Sequence, residues 1–111
     1  MTTPVIPELL ELERIMELGA GHLETRVVCT VELPQGGSCP VYAIAMGNPT
    51  PDVPVVGYFG GVHGLERIGA RVVTAHLHHL VMRLQWDNIL RNQLESLRLV
   101  VMSILNPGGM A

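Results

Sequence analysis

His63 and Glu66 stand three residues apart in the stretch Gly60-Gly61-Val62-His63-Gly64-Leu65-Glu66-Arg67-Ile68-Gly69. At that spacing an imidazole nitrogen and a carboxylate oxygen can turn onto one side of a tight strand-to-helix corner, where both are suitable zinc ligands. Gly60, Gly61 and Gly64 allow the backbone angles and close approaches that such a corner needs. The ordinary alternative is a polar pair at a helix start, with Glu66 favoured by the helix dipole. An H-x-x-E taken alone is weak. Its setting strengthens it, because it follows an apolar run, lies among glycines and opens a helical pattern. Arg67 and Asn106 are the candidate cleft residues beside the pair. The default for Arg67 is a solvated side chain, and Asn-Pro at 106–107 favours a turn by backbone chemistry alone.

Other clusters carry less. His76, His78 and His79 look like a metal group. On a helix centred on Leu77, however, His79 points away from the buried face and the other two flank it. A solvated helix face is the expectation there. Cys29 and Cys39 flank the turn Pro34-Gln35-Gly36-Gly37. One should sit inside a strand and the other beside the loop, so a simple hairpin register does not bring them face to face. They are expected to be free thiols in a cytoplasmic protein.

The elements that would position these residues follow from periodicity and turn chemistry. Residues 7–18 read as an amphipathic helix, with Pro7 at its first position, Glu8 and Glu11 at its positive end, and Gly19 and Gly21 to stop it. Residues 23–33 and 40–47 read as two strands of a hairpin. Residues 53–61 make a third strand whose continuous apolar run predicts burial on both faces. From Glu66 to about Gln85, residues Ala70, Val73, Leu77, Leu80, Val81 and Leu84 share one helical face. Asp87 is placed to cap a short second helix. Residues 97–105 form a fourth strand of buried type. Strand, helix, strand is a right-handed crossover unit, which makes the third and fourth strands parallel. The fold class expected is α/β, a mixed sheet built from a hairpin plus a crossover unit. Both unusual loops then lie at the carboxyl ends of parallel strands, where open α/β sheets bind ligands.

"GGVHGLERIG" followed by a strand ending in "NPGGM" resembles the zinc carboxypeptidase (metallocarboxypeptidase) family, and within it the bacterial branch. The resemblance runs from about Val53 to Met110. It implies that His63 and Glu66 are two of three Zn2+ ligands and that Asn106, Pro107 and Gly109 shape the cleft wall. It implies a peptide substrate cut at its C-terminal residue. The family's third ligand is a histidine, and its general base is a glutamate. These, and the arginines that bind the substrate carboxylate, match no residue here. The expectation is therefore an N-terminal part of such an enzyme, inactive alone, with residues 1–22 as a helical segment and 23–111 as an incomplete peptidase domain. The desuccinylase/aspartoacylase branch shares an H-G-x-E corner, but the Asn-Pro-x-Gly ending favours the peptidase. A rival of another class is a non-catalytic module that associates through an exposed sheet edge.

Composition agrees with a chain that has unmet apolar surface. Its 111 residues are 48% hydrophobic and only 15% charged, low in charge for so small a domain. Self-association is one consequence. A net charge of −3 without a Lys/Arg cluster speaks against nucleic acid or an anionic membrane as partner. Glu8, Glu11 and Glu13 interrupt any leader-like apolar segment, and no run is long enough to span a bilayer.

Overall fold

A computed structural model describes residues 7–33, 36–60 and 67–104; at Arg67 it describes the backbone only. The elements run α1 (Pro7–Leu18), β1 (Glu24–Glu32), β2 (Ser38–Gly47), β3 (Val55–Phe59), α2 (Arg67–Leu84), α3 (Asn88–Gln93) and β4 (Arg98–Met102). They follow the order and nearly the limits that periodicity predicts. The four strands form one mixed sheet in the order β1-β2-β4-β3. β1 pairs antiparallel with β2, β2 antiparallel with β4, and β4 parallel with β3. The parallel pair is the crossover unit joined through α2 and α3.

Alternation along the strands sorts the sheet into two faces. Ile44, Met46, Leu99 and Val101 point into the core, where they meet Leu12 and Ile15 of α1 and Leu77, Leu80, Val81 and Leu84 of α2. Arg26, Ala43, Arg98 and Val100 line a shallow depression on the other face, where Arg98 pairs with Glu24 at 2.9 Å. α1 thus belongs to the same core as the sheet. Its one buried charge, Glu8, turns toward α2 and approaches Arg71 Nε at 4.0 Å.

Asp87 caps α3 as its position predicts, its carboxylate accepting from the backbone N–H of Ile89 and of Leu90. Its other oxygen takes two bonds from Arg83, at 3.0 and 2.6 Å. In the hairpin a bulge between Val27 and Cys29 shifts the register, so that Cys39 pairs with Val31 and Cys29 with Val41. Both cysteines are free, Cys39 buried and Cys29 exposed. The three helix histidines behave as surface residues, with His76 and His79 exposed and His78 half-buried.

One expectation fails. The apolar run of β3 predicts burial on both faces, yet all five residues are exposed. The reason is position. Among the described residues β3 is the sheet's edge, paired on one side only, and Val55 and Phe59 remain 60% and 56% exposed. β4, beside it, buries Leu99 and Val101 and leaves Arg98, Val100 and Met102 half-covered.

Candidate metal centre

The described residues on either side of 61–66 are held in place. Gly60 N–H donates to Met102 C=O at 2.9 Å, extending the parallel pairing one step past β3. A Cβ at Gly60 would lie 2.7 Å from the Gly69 carbonyl and 3.1 Å from Val73. Only glycine lets the strand end approach the helix so closely. Ala70, one turn into α2, is fully buried. The chain therefore leaves the sheet at Gly60 and re-enters regular structure at Arg67, directly against the place it left.

Phe59 and Met102 are register partners at the carboxyl ends of β3 and β4. The segments that continue from them, toward His63 and Glu66 on one side and Asn106 on the other, start from neighbouring points on one sheet edge. His63, Glu66 and Asn106 lie outside the described residues, as does the side chain of Arg67, which opens α2. Among the described residues no three His, Cys, Asp or Glu side chains gather as a metal group. The edge does carry an unmet polar demand. Ser103, the residue after β4, is fully buried and its hydroxyl has no hydrogen-bond partner among the described residues. By alternation Ser103 continues the core face of Leu99 and Val101; an imidazole plus a carboxylate is by its own chemistry a donor pair suited to zinc.

Away from the corner, the half-buried Tyr42 phenol donates to Glu13 Oε2 at 2.6 Å. That bond, aided by burial and the Glu13 charge, pushes the phenol up to about 12. Burial, and then the same carboxylate, also raises the Cys39 thiol, which keeps it protonated and poor as a nucleophile. Neither belongs to the strand-end site. At the opposite end of the sheet, His22, Gly47, Asn48, Leu84, Arg91, Leu94 and Glu95 surround a cleft of about 350 Å³. Sequence reading singled out none of these as functional. Only Gly47-Asn48, ahead of the proline-rich loop, hinted at a turn there.

Residues 29–111 match the family described as zinc carboxypeptidase. No curated protein matches the chain by sequence. Among solved structures the chain is similar to a metallo-carboxypeptidase from Burkholderia cenocepacia, with a TM-score of 0.70 and 17% identity over 96% of this chain and 28% of that one. It is similar to thrombin activatable fibrinolysis inhibitor, with a TM-score of 0.66 and 14% identity over 89% of this chain and 24% of that one. A metallo-carboxypeptidase from Pseudomonas aeruginosa gives 0.59 and 20% identity, over 88% and 25%. The chain thus spans about a quarter of the length of the solved structures it matches. At these identities the likeness shows the fold. The family match covers more than half of the sequence, and with the mixed sheet and its strand-end corner it places this chain in the zinc carboxypeptidase family.

Proposed function

We propose that the chain contributes part of the metal site of a zinc-dependent carboxypeptidase, with His63 and Glu66 as two of the ligands. The observation that carries this reading is the coincidence of the family match with the corner. The H-x-x-E falls between Gly60 and Arg67, at the carboxyl end of the parallel pair. Zinc bound there would polarise a scissile carbonyl and lower the pKa of a bound water. The chain's own part is to hold an imidazole and a carboxylate on a short span between two anchored ends, with Asn106 and Arg67 beside them as cleft residues. The substrate class is a peptide cut at its C-terminal bond.

Two protein ligands leave zinc largely water-coordinated, whereas a catalytic site ordinarily uses three protein ligands and an open position. With no residue matched to the general base, a water at the site has no positioned proton acceptor. The 111-residue chain should therefore bind zinc weakly and release no C-terminal amino acid from peptides. Calorimetry with zinc on the wild type, His63→Ala and Glu66→Gln tests the reading without an activity assay. Either substitution should abolish the heat of binding. Zinc binding that survives both would remove these residues from the metal site, and turnover by this chain alone would mean that other residues do the chemistry.

A second reading, a non-catalytic module that associates through its sheet edge, is favoured by one observation. The edge strand β3 exposes Val55, Val56, Tyr58 and Phe59.

A further inference from the structure

The cleft at the end of the sheet remote from the corner is assembled from four distant parts of the chain: the turn after α1, the end of β2, the end of α2, and α3 with the residues that follow it. Its floor is fixed. Asn48 N–H donates to the carbonyls of Leu94 and Leu97 at 2.8 and 3.0 Å, and Asn48 Nδ2 donates to Glu95 C=O at 2.8 Å. Gly47 has a φ of +102°, and a Cβ there would fall 2.4 Å from Leu97 O. This seam accepts only glycine, and it locks the end of β2 against the segment after α3. Leu84 and Leu94, both buried, give the cleft an apolar side.

Its polar groups have capacity to spare. Arg91 is held by Nε, which donates to Leu84 C=O at 2.7 Å, with Nη1 3.5 Å from Asn88 Oδ1. Nη2 has no acceptor among the described residues. Glu95, four residues on and past the end of α3, uses its backbone carbonyl but not its carboxylate, and no ion pair within 4.0 Å joins it to Arg91 among the described residues. The imidazole of His22 is likewise unengaged. A guanidinium and a carboxylate that share one cleft without pairing, beside two leucines, present a cation, an anion and an apolar wall together. The space, about 350 Å³, is an open surface cleft, and its His22, Arg91 and Glu95 side chains are all exposed, so a ligand there stays partly in water.

We infer that this cleft binds a small zwitterion with an aliphatic side chain, a free α-amino acid. Its carboxylate meets Arg91 and His22, its ammonium meets Glu95, and its side chain lies on Leu84 and Leu94. Guanidinium–carboxylate pairing supplies the directional contact. The site is separate from the zinc corner and does not depend on it.

The test uses the whole chain in buffer containing a chelator, so that loss of the zinc reading cannot affect it. Calorimetric titrations compare L-leucine, N-acetyl-L-leucine and L-leucinamide, which carry both charges, only the carboxylate and only the ammonium. Leucine should bind saturably, and each analogue roughly two- to fivefold more weakly, the range expected of exposed ion pairs. Glu95→Gln should weaken leucine by a similar factor and leave N-acetyl-leucine unchanged. No saturable binding of leucine, equal binding of all three ligands, or a Glu95→Gln effect of the same size on leucine and N-acetyl-leucine would each overturn the inference. The comparison of ligands on the wild-type chain needs no variant to fold.

Discussion

At the scale of single residues, the polar groups away from the corner are legible where one local rule governs them and opaque where distant segments meet. Asp87 could be read as a cap because a carboxylate before a helical pattern satisfies the free N–H groups of the first turn. The structure adds the Arg83 pair, which together with those N–H bonds holds the carboxyl below its ordinary value. A lowered folded-state pKa contributes stability that is present above the unfolded value, near 3.9, and lost as pH falls through the folded one. Asp87→Ala should therefore lower the unfolding midpoint at neutral pH and change it less in strong acid. Thermal melts across that range check this. Tyr42 works in the opposite sense. Its raised phenol contributes stability that is intact below about 10 and lost as pH rises toward the folded value of about 12. Tyr42→Phe should remove the phenolate step near the raised value of about 12 in a 295 nm titration and cost about 1.5–3 kcal/mol at neutral pH, the range for a hydrogen bond to a charged group. Nothing in the sequence tied Tyr42 to Glu13, because the contact joins a strand to a helix 29 positions away. The remote cleft was invisible for the same reason: Arg91 and Glu95 are four apart, but no spacing ties either of them to His22 or Asn48.

At the scale of elements, hydrophobic period carried most of the prediction. α2 shows why. Ala70, Leu77, Leu80, Val81 and Leu84 are all buried, and Val73 is half-buried. The far side, with Val72 at 62% and Met82 at 50% exposure, faces out. Leu77→Ala should therefore cost about 2–5 kcal/mol, since the closed packing around it cannot collapse to fill the space. Val72→Ala should change stability by less than about 0.5 kcal/mol. Urea denaturation of the two variants separates the faces. Period fails at β3. A run of apolar residues tells that a strand is meant to be covered, but it does not say which elements cover it. In this chain β4 is its sole strand neighbour among the described residues, and a tilted contact between Tyr58 and His76, ring centres 5.0 Å apart, ties it to α2.

At the scale of the whole molecule, the open side of β3 sets an expectation for behaviour in solution. An edge strand offers unpaired N–H and C=O groups to any other strand, and natural edges are commonly protected by charge, proline or bulges. β3 has none of these between Val55 and Phe59, and its side chains are apolar on both faces. Val55 and Phe59 lie on the face away from the helices, in register with Arg98 and Met102. Two copies that meet along this edge would satisfy the free backbone groups and cover apolar surface in one step. The chain should therefore sediment above its 12.1 kDa monomer mass, and increasingly so as concentration rises. Placing Lys at both Val55 and Phe59 inserts charge on the edge without touching the buried face. Those substitutions should return the chain to a monomer while its circular dichroism stays that of the wild type. A wild-type chain that is monomeric at every concentration would show that β3 is protected in a way its sequence does not reveal. If association persists in the double variant, the contact lies elsewhere, and the exposed row of Ile68 and Val72 on α2 becomes the surface to alter next.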